Sequence, residues 1–202
     1  SELSQKARYE KRREAIAQFN AASPVLKKGL ALTPVKFGIS FNLAHLNQAG
    51  ALVHVYTDGT VLVNHGGTEM GQGLNTKVAQ VVAHELGLPL SKVRVSATDT
   101  SKVANTSATA ASTGSDLNGK AAQDAARQIR ERLQNFLAQR HAIKAEQIAF
   151  AGGMVSWGDQ TLAFADVVMQ AYTARVQLWS DGYYATPGLH WDRNTMKGKP
   201  FF

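Results

Sequence analysis

The 202-residue chain contains no cysteine. That excludes disulfides, a thiolate metal site, a cysteine nucleophile and a cysteine-ligated iron–sulfur cluster within it. No apolar run approaches the ~18 residues that a membrane-spanning helix needs, so no membrane partner is expected. The N-terminal stretch is charged and lacks the apolar segment of a secretory signal. With the missing cysteines, this fits a cytoplasmic protein. The six histidines, at 45, 54, 65, 84, 141 and 190, show no HxH, HxxxH or HExxH spacing. No directly coordinating metal ligand is expected among them. Charged residues are only 18% of the chain against 44% hydrophobic, which argues against disorder and allows a sizeable core.

The net charge is +7. It sits at the ends: residues 1–28 carry +4, residues 189–202 carry +2, and the 160 residues between them carry +1. A phosphate-tracking groove needs cations spread along a face, so nucleic acid is not an expected partner.

Periodicity supplies the elements. Residues 4–20 read as a basic helix with a thin apolar stripe of Ala7, Ala15, Ile16 and Phe19, ended by Pro24. Residues 28–41 read as extended, since Leu30, Leu32, Val35, Phe37 and Ile39 fall mostly on every second position. Residues 50–65 form a hairpin around Asp58-Gly59, a pair favoured in two-residue turns. A helix follows, with Leu74, Val78, Val81, Val82 and Leu86 on one face and Gly87 and Pro89 as its stop. Lys92–Ala97 is a short strand. A long helix starts near Ser115, with Ala122, Ala126, Ile129, Leu133 and Leu137 in 3.6-residue period. Gly119 and Ala122 on it admit a close backbone neighbour. A hairpin over 148–157, a short helix from Phe164 to Tyr172 and a strand from Arg175 to Tyr183 complete the order. Hairpins mixed with helices predict an α+β fold, with a mixed β-sheet and helices packed on one face.

Two segments carry candidate chemistry. Gly66–Gly73 places four glycines in eight residues between a strand and a helix. Such a loop lets backbone approach a ligand, and amides at a helix N-terminus favour an anion. It is neither a Rossmann nor a Walker fingerprint. Glu69, its one acid, reads as a cap for loop amides rather than a base. Residues 98–113, rich in Ser, Thr and Ala, also link a strand to a helix. If the two strands are neighbours, both helix N-termini face one crevice. From these residues alone, the expectation is a small-molecule or cofactor phosphate site; a tight turn and a solvated loop are the plain alternatives.

The run LNQAGALVHVYTDGTVLVNHGGTEMGQGL (Leu46–Leu74), with TSATAAS (Thr106–Ser112) and DLNGKA (Asp116–Ala121), resembles the molybdenum-binding subunit of the xanthine dehydrogenase family. KKGLALTPVKFGISF (Lys27–Phe41) and GYYATP (Gly182–Pro187) are similar to the same family. The resemblance implies that the chain is a basic helix and linker (1–28) followed by part of a molybdopterin-binding domain (29–202). It implies a molybdenum–molybdopterin cofactor contacted by Gly71 and Gln72 of MGQG and by Ala110, Ala111 and Ser112 of AAS. It implies that Phe41 packs on a purine such as hypoxanthine or xanthine. Asn42 stands where the family usually has Thr, beside the substrate oxygen.

Iron–sulfur clusters and FAD belong, by the same resemblance, to other domains or subunits, and the rest of the large subunit is the expected partner. The family's glutamate base in a GEP-type motif, its RGFG-type arginine and its GGFGG-like glutamine region do not occur in this sequence. No catalytic residue is therefore assigned here. The isolated chain is expected to be inactive, to bind no cofactor alone, and to self-associate through uncovered apolar surface. An aldehyde oxidase-type fragment and a non-catalytic binding module are the alternative readings.

Overall fold

The computed structural model describes residues 1–35 and 38–199. The chain divides into two compact units, Ser1–Phe37 and Gly38–Phe202.

In the first unit, α1 (Glu2–Lys6) and α2 (Tyr9–Ala22) replace the single expected helix. The break is at Arg8, whose φ of 49° is left-handed and cannot continue a right-handed helix. Neither helix buries a residue, as the thin apolar stripe implies. The expected strand over 28–41 does not form among the described residues. Alternation alone makes no strand without a neighbour to complete the ladder. Pro34 removes a donor, and Val35 is 86% exposed. Lys36 and Phe37 lie outside the described residues.

The second unit is built on a four-stranded sheet, in the order β3 (Val93–Val95), β2 (Val61–His65), β1 (Gln48–Val55), β7 (Trp179–Ala185). β1 (Gln48–Val55) pairs antiparallel with β2 (Val61–His65), Val53 opposite Val63. The turn between them is longer than two residues. Tyr56 and Thr60 still pair, Gly59 N–H donates to Tyr56 O at 2.8 Å, and Gly59 takes φ 77°. Asp58 accepts from Thr60 N–H at 2.9 Å and from its hydroxyl at 2.6 Å. This is the longer hairpin that pairs a turn with a left-handed glycine. β3 (Val93–Val95) pairs parallel with β2, Val63 opposite Val95. The sheet is therefore mixed. The helix α3 (Leu74–Glu85) crosses between them.

The long helix α4 (Gly114–His141) packs on the sheet beside α3 and buries the predicted stripe of Ala122, Ala126, Ile129, Leu133 and Leu137. That stripe meets the buried β1 positions Ala49, Ala51, Val53 and Val55. The expected close backbone approach is not at Gly119, whose nearest neighbour is the Val81 side chain. It is at Gly182, where an added Cβ would lie 2.1 Å from Ala121 O.

β4 (Ala149–Ala151), β5 (Met154–Trp157) and β6 (Gln160–Ala163) form a second, antiparallel sheet capped by α5 (Phe164–Thr173). The first hairpin turns at Gly152-Gly153 as expected; β6 was not legible. The last main-sheet strand, β7 (Trp179–Ala185), starts later than expected because Arg175 takes a left-handed φ of 62°. A small hairpin, β8 (His190–Asp192) with β9 (Lys197–Lys199), closes the described chain.

β7 lies at the sheet edge, and α4 covers its outward polar groups. Asp124 Oδ2 accepts from Tyr183 N–H at 3.2 Å. Gln128 donates to Asp181 O at 3.0 Å. Arg132 donates to Trp179 O at 2.8 Å and to Gln177 O at 3.0 Å. The edge is sealed by side chains rather than by another strand.

Candidate functional site

The parallel pairing of β2 with β3 decides the site. Neighbouring parallel strands send their following loops off the same end of the sheet, where open sheets bind ligands. The glycine loop 66–73 leaves β2, and the loop 96–113 leaves β3. Together they enclose a cavity of about 520 Å³. Met70, Gln72 and Leu74 border one side, and Ala110, Ala111 and Ser112 the other. The expected neighbourhood of the two loops is met.

The loops are tied across the gap. Thr109 Oγ1 accepts from Thr68 N–H at 2.8 Å. The single Thr98 hydroxyl hydrogen is shared between Gly67 O at 2.8 Å and His65 O at 3.0 Å from Oγ1. Gly66 is required by this closeness, because an added Cβ would meet the Thr106 side chain at 2.0 Å. Gly71 differs: its φ is 95°, and an added Cβ would meet nothing within 4 Å. It presents bare backbone beside open space. Gln72 lines the cavity while its amide braces the loop, donating to Thr68 O at 2.8 Å and accepting from Met70 N–H.

The two helix N-termini are unlike. At α3, Glu69 is the cap that its position suggests. Oε2 accepts from Asn75 N–H at 3.0 Å; Oε1 accepts from Gly73 N–H at 3.0 Å and Gly71 N–H at 2.9 Å. These backbone donors, Asn75 first, hold the carboxyl below the usual glutamate range. The α3 amides are thus already supplied with an anion from within the loop. At α4, Thr113 stands in the cap position but gives its hydroxyl to Ala110 O at 2.9 Å, and no side chain caps the helix. The α4 end, with Gly114 and Ser115 on the cavity wall, has no cap from Thr113, and Asp116 in its first turn already sets a carboxyl beside the Leu117 amide.

Ala111 and Ser112 both take left-handed conformations, φ 51° and 55°. Each costs about 1–3 kcal/mol for a non-glycine residue, and such strain gathers at functional loops. Among the described residues, Lys77, from the first turn of α3, supplies the cavity's one charged side chain. Thr109 falls within the TSATAAS run without being singled out there; Lys77 and Ser115 escaped the sequence reading. Their signal is helical spacing from the loop, Lys77 lying one turn after Gly73, but it becomes readable only once both helices are placed.

Phe41 and Asn42 do not line this cavity. They border an adjoining cleft of about 260 Å³ with Ser40, Leu189 and Trp191. The junction is one hydrogen bond, Ser40 N–H to Ala111 O at 3.3 Å. Among the described residues no three His, Asp or Glu gather into a metal-ligand cluster. No helix there is long and apolar enough to cross a membrane.

Relatives are informative at this point. Xanthine dehydrogenase/oxidase of Mus musculus is 45% identical over 195 residues, 96% of this chain and 13% of that protein. Xanthine dehydrogenase of Oryza sativa subsp. japonica is 45% identical over 201 residues, again 13% of its length. The chain thus spans about an eighth of the relatives it matches. Among solved structures, quinoline 2-oxidoreductase from Pseudomonas putida 86 superposes with a TM-score of 0.72 at 21% identity, over 98% of this chain and 28% of that one. The aldehyde oxidoreductase of Desulfovibrio desulfuricans superposes with a TM-score of 0.59 at 17% identity, over 98% of this chain and 19% of that one. At such identities these two establish the fold alone. The molybdopterin cofactor-binding domain family matches residues 2–202, and by that match, together with the relatives, the chain belongs to this family.

Proposed function

We propose that the chain is part of a molybdenum hydroxylase of the xanthine dehydrogenase type, and supplies part of the cradle for its molybdenum–molybdopterin cofactor. The observation that carries this reading is the meeting of two loops, from adjacent parallel strands, around one cavity of about 520 Å³. The residues fit a flat, polar, anionic group. Gln72, Thr109, Ser112 and Ser115 offer hydrogen-bonding groups on the wall, and Lys77 a positive charge. Gly71, whose N–H is held by Glu69, leaves the space beside its backbone free of a side chain.

Gly71 and Gln72 from one loop, and Ala110, Ala111 and Ser112 from the other, would hold the group. Lys77 would face its anionic end. When bound, the cofactor supplies the redox metal, and the protein orients it. The chain's own part is to bind and to keep the approach clear.

Phe41 would stack on a purine such as hypoxanthine or xanthine, a contact worth about 1 kcal/mol beyond burial. Asn42 would exchange hydrogen bonds with a substrate oxygen. No catalytic acid or base is assigned to these residues. Residues 1–28 are a basic helix and linker, and 29–202 the domain portion. Partners are the rest of a longer polypeptide and iron–sulfur and FAD domains or subunits, in the cytoplasm. A second reading is an aldehyde oxidase-type enzyme, since the exposed Asn42, in place of the usual Thr, does not fix xanthine as the substrate.

The test is the molybdenum and pterin content of the protein purified from its source. About one of each per polypeptide, with xanthine hydroxylation, is expected. A folded, undegraded, metal-free protein would mean a retained scaffold only.

A further inference from the structure

At the end of β2 sits a buried imidazole that the cavity does not use. His65 is 1% exposed. Its Nδ1 accepts the Gly67 N–H at 3.1 Å, so Nδ1 carries no proton and Nε2 carries the ring's single hydrogen. Nε2 is buried without a well-formed acceptor, and the side-chain oxygen of Asn75 is buried without a well-formed donor. The Asn75 side chain lies near enough to the ring to favour its charged form, without a formed hydrogen bond to it. One orphan has a proton to give and the other has lone pairs to receive it. Leaving both unpaired would cost about 1–3 kcal/mol each.

We propose that His65, as the neutral Nε2–H tautomer, pairs with Asn75 to lock the glycine loop onto α3, and that His65 is thereby a positioning residue for the cavity. The lock spans the loop. His65 would hold the loop's second amide, at Gly67, and reach Asn75 in the first turn of α3 beyond its end. Between these points the Glu69 carboxylate gathers Gly71, Gly73 and Asn75 amides, and Thr98 holds the His65 and Gly67 carbonyls from the neighbouring loop. A protonated ring would point Nδ1–H at Gly67 N–H, two donors face to face, and the first tie would break. Burial opposes that proton; Asn75 and the Glu69 charge favour it more weakly. The effect of the lock on cofactor binding rests on the function proposed above; the lock itself does not.

The direct test is the ¹⁵N shift pattern of His65 in the full chain. An unprotonated Nδ1 with a protonated Nε2, persisting below the ordinary histidine pKa of 6.5, is expected. A protonated Nδ1 in the neutral ring, or titration near the ordinary 6.5, would overturn the proposal. Independently, His65→Phe and Asn75→Ala should speed amide exchange at residues 67–75 more than tenfold while β1 and α4 keep their protection. Unchanged exchange in both would also overturn it. If His65→Phe does not fold, the tautomer measurement still decides. Faster exchange with undiminished pterin in the longer enzyme would overturn the loop's role in cofactor binding and leave the lock standing.

Discussion

The Asn47 side chain pairs with the Phe41 backbone in both directions. Phe41 N–H donates to Asn47 Oδ1 at 2.7 Å, and Asn47 Nδ2 donates to Phe41 O at 3.1 Å. Nδ2 also reaches Leu43 O at 3.0 Å. Asn47 is 1% exposed, at the first turn before β1. The proposed substrate ring is therefore aimed by a buried amide six residues away.

Asn47→Ala should strip these half-buried partners and destabilise by about 1–3 kcal/mol. Asn47→Asp should lose at least as much, because it keeps the acceptor for Phe41 N–H but sets a buried carboxylate oxygen against the Phe41 and Leu43 carbonyls. Thermal melts of both would check the order. In the longer enzyme, Phe41→Ala should raise the purine KM with molybdenum content unchanged; an unaltered KM would remove Phe41 from the substrate site.

Glu69→Gln should loosen the loop without unfolding the sheet, since one amide oxygen cannot serve three backbone donors as the carboxylate does. Exchange at Gly71, Gly73 and Asn75 is the readout. Bound phosphate at the vacated α3 amides is a further expected result, detectable by ³¹P line broadening. No change in exchange would mean that the three bonds do not order the loop.

Stability should fall on acidification in two stages. His65 is held below its ordinary 6.5, chiefly by burial. The unfolded chain therefore binds this proton first, and stability declines as pH drops from about 6.5 toward the folded value. Glu69 is held below its ordinary 4.5, so its contribution is intact above that value and is lost as pH falls through the folded one. Chemical denaturation from pH 7 to pH 3 would resolve both. His65→Phe should abolish the upper stage and spare the lower.

Two glycine substitutions should behave oppositely. Gly71→Val places its side chain in open space at φ 95° and costs about 1–2 kcal/mol of backbone strain. The fold should survive while cofactor occupancy falls in the longer enzyme. Gly182→Ala drives a methyl to 2.1 Å from Ala121 O and 2.5 Å from Ala125 N. Backbone cannot move aside as a side chain can, so at least about 3 kcal/mol should be lost. Equal melting points for the two variants would contradict this packing.

The elements legible in the sequence were those with a strong local period or turn. Asp58-Gly59 marked the first hairpin, the Ala122–Leu137 stripe marked α4, and the two small-residue loops marked the site because strand, loop and helix are consecutive in each. Residues 28–41 misled because alternation looks the same with or without a neighbouring strand. Lys77 and Ser115 were missed because their convergence depends on how α3 and α4 are set side by side. The Asn47–Phe41 pair was missed because an asparagine before a strand reads as an ordinary turn residue. The His65–Asn75 pairing spans ten residues and two elements, and no periodicity reports it.

The α4 row along β7 has a consequence in arithmetic. Asp124, Gln128 and Arg132 advance in steps of four, while Tyr183, Asp181 and Trp179 recede in steps of two. Four helical residues rise about 6.0 Å, and two strand residues about 6.7 Å. The two rulings agree closely enough for three successive ticks and drift apart beyond them, like the scales of a vernier. The coincidence is one of length and not of sequence. One residue inserted between Asp124 and Arg132 would turn the later ticks by about 100° and take them off the strand. A helix can thus stand in for a strand only over a short measured span.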